Sequence, residues 1–215
     1  MPNAGGRPGI YSSGLNVTSF SDGKTPQPKD TVNYIEYIES TGTQFIDTGI
    51  SPMPGTVWAV EMEYTELTDG KNVSNGMIVK RQDGTYNRFY FGMATSRSYQ
   101  VGIGTAYRGE AVKDCRRFEL HGTGKGYVNS TEIQLEEVDA ETALPLRLFA
   151  RNSNVGAISR VRTKARLYGA TVTENGELVQ DLRPCRDGEG IPCLYDTVTN
   201  KYFYNQGEGK FLYPE

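Results

Sequence analysis

The stretch YIEYIESTGTQFIDTGI, from Tyr34 to Ile50, marks the point at which the chain changes character. The residues before it carry only scattered apolar side chains, whereas short alternating runs separated by turn residues follow it. Within the stretch, two short runs rich in isoleucine and aromatic residues flank Gly42, which permits a tight turn. We interpret it as a compact hairpin and as the first ordered element of a domain spanning residues 34–215.

The composition indicates an all-β protein with one core. The chain has 215 residues, a length that all-β sandwiches reach without dividing into two domains. Its 25 glycines and 14 tyrosines favour many short strands with tight turns over helices. The best helical candidate, residues 139–143, is short.

Alternation predicts which side chains face the core. The predicted inward residues are Trp58, Val60, Met62 and Tyr64 in TVWAVEMEYT, Phe89, Phe91 and Met93 in RFYFGMA, and Phe118 and Leu120 in CRRFELHG. The dipeptides Asp83-Gly84 and Asn175-Gly176 predict hairpins, because both residue types tolerate positive φ.

Three blocks of sequence carry a family resemblance. They are YIESTGTQFIDTGI, then LRLFARN at 146–152, and ARLYGATVTENGELVQDLRPCRDGEGIPCLYDTVTNKYFYNQGEGKF at 165–211. In order and spacing they resemble the concanavalin A-like, laminin G-like jelly-roll modules of bacteriophage structural proteins and of gut-bacterial surface proteins. The resemblance implies an antiparallel two-sheet jelly-roll sandwich, with the first hairpin packed beside the TNKYFYN return. It also implies that these residues hold the sandwich together and carry no chemistry.

Residues 1–33 lie outside this resemblance, and we interpret them as an extended arm for attachment. The arm contains several glycines and prolines and has no periodic apolar face. The alternative is a disordered tail. If the segment is an arm, its candidate anchors for docking on another protein are Ile10, Tyr11, Leu15, Val17 and Phe20.

Charge and hydropathy argue against two kinds of partner. A formal charge of −3 and a pI near 5.4 give no footprint for nucleic acid. No apolar run is long enough to span a bilayer, and the first residues do not resemble an export signal, so we expect a chain made in the cytoplasm. Cys115, Cys185 and Cys193 lack metal-ligand spacing, which favours free thiols over a Cys185–Cys193 bridge.

One acidic motif deserves comparison with enzymes. Some concanavalin A-like glucanases carry Glu-x-Asp-x-Glu on a strand, and EVDAE repeats this spacing at Glu137, Asp139 and Glu141. Here, however, the motif runs into a polar stretch that ends at Pro145, which is typical of a loop. His121 is the only histidine, so it has no second imidazole with which to bind a metal. We therefore expect no catalytic site and no enzyme activity.

Calcium is the one cofactor that the family resemblance suggests. The candidate ligands are Asp69, Asp83, Asp187 and Glu189, all in glycine-rich turns. Aspartate is common in such turns for its hydrogen bonding alone, so we expect no metal and no other cofactor.

With catalysis and cofactors set aside, the remaining candidate is a ligand-binding surface. Alternation predicts a solvent face of aromatic platforms and planar donors suited to sugars, consisting of Arg88, Tyr90, Gln100, Arg117, Arg147, Phe149 and Arg151. The alternative is that these residues pack under loops or against a neighbouring subunit.

Together these features predict a non-enzymatic bacteriophage virion protein, such as a capsid decoration, head fibre or tail-associated protein. It would be present in many copies, anchored to other virion proteins by its arm, and able to adhere to surface glycans through its jelly roll. The alternative is a bacterial carbohydrate-binding, lectin-like module or, with less support, a glycoside hydrolase.

Overall fold

The described part of the chain is all β-structure, as the alternation predicted. A computed structural model describes residues 32–66, 73–95, 98–110, 116–154 and 163–215. The five predicted arm anchors, Cys115 and Asp69 lie outside these ranges. Residues Val32–Glu215 form one compact unit. In the described ranges no helix is long and apolar enough to cross a membrane.

The strands form two large sheets and one small sheet. In chain order they are β1 Asn33–Tyr34, β2 Ile38–Thr41, β3 Ile46–Asp47, β4 Thr56–Glu66, β5 Val73–Lys80, β6 Tyr86–Thr95, β7 Ser98–Ile103, β8 Thr105–Glu110, β9 Arg117–His121, β10 Lys125–Val128, β11 Thr131–Gln134, β12 Arg147–Leu148, β13 Arg151–Ser153, β14 Lys164–Glu174, β15 Glu177–Arg186, β16 Pro192–Asp196 and β17 Lys201–Phe203.

The larger sheet has ten strands and is antiparallel throughout. Its main order is β11-β10-β9-β4-β14-β15-β16-β17, and β1 and β2 pair with β15 and β14. The second sheet has the order β13-β5-β6-β7-β8, in which only the β13–β5 pair is parallel. The pair β12–β3 forms the small sheet. The chain passes between the two large sheets four times: after β4, after β8, after β11 by way of β12, and after β13.

The core lies between the two large sheets. The ring centroids of Trp58 and Phe91 are 5.0 Å apart, and Phe91 stacks on Phe118 at 4.5 Å. All three side chains are almost completely buried, and each such aromatic contact adds about 0.5–1.5 kcal/mol beyond area burial. The predicted inward faces of β4, β6 and β9 are therefore confirmed, with Tyr64 only partly buried at the margin.

Local turn chemistry explains two of the hairpins, as predicted. Asn175 and Gly176 have φ values of 52° and 86°, and they join β14 to β15. Gly84 has a φ of 85° in the turn between β5 and β6, where Asp83 Oδ1 accepts a hydrogen bond from the amide of Thr85 at 2.8 Å. The short helical candidate is a single 3-10 turn, Ala140–Thr142.

The first motif is not a hairpin, so that prediction is wrong. Its strands β2 and β3 do not pair with each other: β2 pairs with β14, and β3 pairs with β12. The buried side chain of Gln44 explains the turn between them, because its Oε1 accepts from the amide of Thr41 at 2.8 Å while its Nε2 donates to the carbonyl of Lys210 at 3.2 Å. These bonds replace the cross-strand bonds of a hairpin.

The motif does pack beside the C-terminal return, as predicted. Phe45 N donates to Asn205 Oδ1 at 3.1 Å, and Gln206 N donates to the carbonyl of Phe45 at 2.9 Å. Strands β1 and β2 also fill the fork where β14 and β15 diverge, because Tyr34 pairs with Cys185 and Ile38 pairs with Leu167. The start of the domain is thus built into the middle of the larger sheet.

Candidate ligand-binding face

Four of the seven predicted ligand residues share the outer face of the five-stranded sheet, the face turned away from the core. They are Arg88, Tyr90, Gln100 and Arg151. Since Phe89, Phe91 and Val101 point into the core, alternation along β6 and β7 turns their neighbours outward. Alternation therefore correctly predicted that these residues share one face, but Tyr90 and Gln100 are buried there instead of being presented to solvent, so that part of the prediction is wrong.

Register places Arg151 and Tyr90 in one row across the sheet. Arg151 is paired with Gly76, Gly76 with Tyr90, and Tyr90 with Gly102. A Cβ atom on Gly102 would lie only 2.8 Å from Cε1 of Tyr90, so the ring rests directly over this glycine. From the other side, the Cζ atom of Arg151 lies 5.3 Å from the centre of the ring, within range of a cation–π contact.

A fifth residue, Arg108, belongs to this face and was missed. It lies on the edge strand β8, where it is paired with Gln100, and it is exposed. The turn at Gly104, which has a φ of 60°, followed by the alternating run TAYRGE, was the signal that could have identified it. We call Arg88, Tyr90, Gln100, Arg108 and Arg151 the arginine–tyrosine face.

The arginine–tyrosine face has three guanidinium groups that are not neutralised by the described protein. None of the ion pairs found between described residues includes Arg88, Arg108 or Arg151. All three act electrostatically on Tyr90, although burial outweighs them and raises the pKa of its hydroxyl. Burial also lowers the pKa of Arg151, and the like charge of Arg88 acts in the same direction.

The face is layered, with the arginines above a buried base. Tyr90 is 5% exposed and Gln100 is 3% exposed, so the arginines present most of its accessible surface. Arg88 is held by a hydrogen bond of 2.6 Å from Nη1 to the carbonyl of Gly104. Within the described ranges, the buried Nε2 of Gln100 and the buried Nε of Arg151 have no hydrogen-bond acceptor. Both atoms have almost no accessible surface, so they are unused donors that a ligand does not reach without a change in the face.

None of the three remaining predicted residues lies on this face. Phe149 was expected to point to solvent, but it is completely buried and packs on Phe211 with a centroid distance of 5.1 Å. Its positive φ of 63° interrupts the alternation on which the prediction relied. Arg147 lies in the small sheet, where its Nε pairs with Asp47 Oδ2 at 3.0 Å and its Cζ covers the ring of Phe45 at 5.0 Å.

Arg117 is on the opposite side of the sandwich, in β9 of the larger sheet. It pairs with Glu119 at 3.3 Å and borders a shallow depression of about 180 Å³. The other polar groups there are also paired: Tyr168 donates to Glu63 at 2.7 Å, and Arg183 pairs with Asp181 at 2.7 Å. This depression thus has fewer unused donors than the arginine–tyrosine face.

The EVDAE motif lies in a loop, as expected from its flanking residues. Strand β11 ends at Gln134, and Glu137 and Glu141 are exposed on either side of Asp139. Asp139 caps the 3-10 turn and pairs with Arg81 at 3.1 Å. Partial burial opposes ionisation of Asp139, but its bonds from Thr142 and Glu141 and the charge of Arg81 lower its pKa. The three carboxylates do not line one strand.

Of the described candidate calcium ligands, Asp83 and Asp187 accept hydrogen bonds within their own turns, and Glu189 is exposed. The amide and hydroxyl of Thr85 lower the pKa of Asp83, and Asp187 Oδ1 accepts the amides of Glu189 and Ile191 at 3.0 and 2.9 Å. Across the described residues there is no cluster of three or more His, Cys, Asp or Glu side chains able to hold a metal. Cys185 and Cys193 are free thiols whose sulfur atoms lie 3.5 Å apart.

A scan against protein-family models and a search of curated proteins find no match for this chain.

Proposed function

We propose that this chain is a non-enzymatic structural protein of a bacteriophage virion, anchored by its N-terminal arm and displaying a concanavalin A-like jelly roll that adheres to surface glycans. The arginine–tyrosine face is the observation that carries the adhesive part of the proposal. It combines planar, unpaired donors with a rigid base, the combination that recognises the hydroxyl and acidic groups of sugars.

The position of β1 supports attachment through the arm. Asn33 and Tyr34 pair with Arg186 and Cys185, so the described domain begins with a strand of the larger sheet. The proposal assigns the docking itself to residues 1–31, through the five apolar anchors named above. A short arm with a few apolar side chains is one of the recurring ways in which an extended peptide binds a folded partner.

The arm is tested by deleting residues 1–31 and measuring incorporation into phage particles. We expect the truncated chain to remain folded by circular dichroism and to be lost from purified particles. The matched variants of the full chain are Ile10→Ser with Phe20→Ser, which should reduce incorporation, and Ser12→Ala with Ser13→Ala, which should not. Equal incorporation of the truncated and full-length chains would contradict the attachment role.

The adhesive role is tested by binding the full chain to an array of bacterial surface polysaccharides and mucin glycans. Binding should be lost in the double variant Arg88→Gln, Arg108→Gln. The matched control, Arg117→Gln with Arg183→Gln, removes the same charge from the outer face of the larger sheet and should bind normally. If the full-length chain binds no glycan, the adhesive role is wrong.

The second candidate, a bacterial carbohydrate-binding module, rests on the same arginine–tyrosine face. It differs in requiring no docking by residues 1–31. Glycan binding that persists in a chain with no affinity for virion proteins would favour this candidate.

A further inference from the structure

We propose that the arginine–tyrosine face binds the anionic group of an acidic glycan, a carboxylate or a sulfate ester. This inference rests on the proposed glycan-binding function and names the class of sugar that the face would take.

Charge is distributed unevenly among the described arginines. Most of the other described arginines are paired with a carboxylate, as Arg166 is with Glu39 at 2.8 Å and Arg116 is with Glu61 at 2.9 Å, whereas Arg186 is not. The arginines without a carboxylate partner in the described ranges include all three on this face. A cluster of like charges raises the free energy of the unliganded protein, and a bound anion offsets this cost.

The residues of the arginine–tyrosine face come from strands across the whole five-stranded sheet. Arg88 and Tyr90 lie on the central strand β6, while Arg108 and Arg151 lie two strands away on either side. Two of the arginines lie close to Tyr90: Cζ of Arg151 is 5.3 Å from the centre of the ring, and a Cβ on Gly102 would meet both Cε1 of Tyr90 at 2.8 Å and Cδ of Arg88 at 3.3 Å. Arg108 lies on the next strand, opposite Gln100. Tyr90 is opposite two glycines, Gly76 on β5 and Gly102 on β7, and its ring occupies the space that a side chain on Gly102 would fill.

The three guanidinium groups determine which chemical groups this face can bind. A guanidinium has donors and no acceptors, so a face of three arginines is matched by a ligand group that has only acceptors. Carboxylates and sulfate esters have this property, and a neutral sugar hydroxyl does not.

One acidic side chain belongs to the same face by alternation. Glu110 is exposed on β8, two residues beyond Arg108, and makes no ion pair with a described residue. With three arginines and one glutamate, the face keeps a positive charge in a chain whose formal charge is −3. An anionic ligand is therefore attracted to this face more than to the rest of the surface.

The experiment compares sugars that differ only in charge. The full-length chain is titrated by calorimetry with an oligogalacturonate and with its methyl ester, and with dextran sulfate and dextran. The acidic member of at least one pair should bind about 10-fold more tightly or better, as expected for the loss of one or two charge-assisted hydrogen bonds. Arg108→Gln, at an exposed position that leaves folding intact, should weaken acidic binding by about 10-fold, whereas Arg117→Gln should change it less than about 2-fold.

The outcomes separate this inference from the proposed function. Equal affinity for the acidic and neutral members, or an unchanged affinity in Arg108→Gln, overturns the inference and leaves glycan binding standing. No binding to any of the four sugars or to the glycan array overturns both. Binding of single-stranded DNA with the same dependence on Arg108 would show a general polyanion site and would also overturn the inference.

Discussion

The backbones of Glu39 and Leu212 exchange two hydrogen bonds, with N–O distances of 2.7 and 2.9 Å. This bridge joins the second strand of the domain to its C-terminal segment. On its other side, β2 pairs with β14, so Glu39 lies between β14 and the C-terminal segment. The first strands are therefore integral to the sheet, which makes the N-terminal boundary testable by truncation.

Deleting residues 1–31 should change the free energy of unfolding by less than about 0.5 kcal/mol, because β1 begins at Asn33. Deleting residues 1–41 should leave no cooperative unfolding transition. It removes the fully buried Ile38 and uncovers backbone groups of β14. Ile38→Ala should have an intermediate effect of about 2–5 kcal/mol. Urea unfolding monitored by circular dichroism measures all three, and a cooperative transition in the longer deletion would contradict the integral role of β2.

Gln44→Ala should destabilise the domain by about 2–3 kcal/mol, because the side chain is buried and joins the first turn to the C-terminal segment. The alanine leaves the carbonyl of Lys210 without this donor and the amide of Thr41 without its acceptor. The matched control is Gln206→Ala in the adjoining segment, an exposed position that should cost less than about 0.5 kcal/mol. Similar urea midpoints for the two variants would contradict the role of Gln44.

The sequence predicted the all-β class, two hairpins and three inward faces for reasons that the structure makes clear. The hairpins at Asp83-Gly84 and Asn175-Gly176 depend on residues adjacent in the chain, and the inward faces of β4, β6 and β9 depend on alternation. The first motif was misinterpreted because the partners of β2 and β3 lie more than 90 residues away. Local pattern does not encode such pairing.

The candidate site was predicted in part for the same reason. Arg88, Tyr90 and Gln100 follow from alternation within single strands. Phe149 was misplaced because its positive φ reverses the pattern in LRLFARN, and Arg117 was misplaced because alternation gives the face of a strand but not the sheet that contains it. Only the sheet order separates the two outer faces.

Gly76→Ala should destabilise the protein by about 3 kcal/mol or more. Gly76 has a φ of 108°, and an added Cβ would lie 2.1 Å from the carbonyl oxygen of Phe89, a backbone atom that cannot move without disrupting the β5–β6 pair. Gly188→Ala is the control, since an added Cβ there meets nothing within 4 Å and the position has no positive φ. It should change the melting temperature by no more than about 2 °C.

Cys185 and Cys193 should not react with a thiol reagent in the folded protein. Both are completely buried, and the hydrogen bond to Cys185, together with burial, raises the pKa of Cys193. In a Cys115→Ser background, Ellman's reagent should detect no thiol before unfolding and both thiols in guanidinium chloride. Rapid reaction of the native protein, or only one equivalent after unfolding, would contradict the buried free-thiol state.

The hydrogen bond of 3.0 Å between Tyr204 and Asp187 should make stability depend on pH at both extremes. Partial burial would raise the pKa of Asp187, but hydrogen bonds from Ile191, Tyr204 and the turn amides outweigh it and lower the pKa. The stabilising contribution of Asp187 is therefore present above about pH 5 and is lost as the pH falls below about 4. Burial and this bond raise the pKa of Tyr204 to about 12, so its contribution is present below about pH 10 and is lost on approach to 12.

Asp187→Asn should therefore flatten the acid limb of the stability profile, and Tyr204→Phe should flatten the alkaline limb. Urea midpoints measured from pH 2 to 11 test both expectations. Glu189→Gln, at an exposed neighbour of Asp187, is the control and should leave the acid limb unchanged. If the acid limb of Asp187→Asn is as steep as that of the unmodified protein, Asp187 is not the cause of the acid limb.

The pairing of β4 with β14 has a consequence for the order in which the protein folds. Val60 in β4 is opposite Ala170, about 110 residues later, and Tyr34 is opposite Cys185. During synthesis, the hairpin β5–β6 is complete while the neighbours of β4 and β1 are still missing. The centre of the larger sheet therefore cannot close until β14, which begins about 100 residues after β4 ends, has left the ribosome. Such long-range closure slows folding and leaves strand edges open in the interval, when a chaperone or a neighbouring copy has access to them.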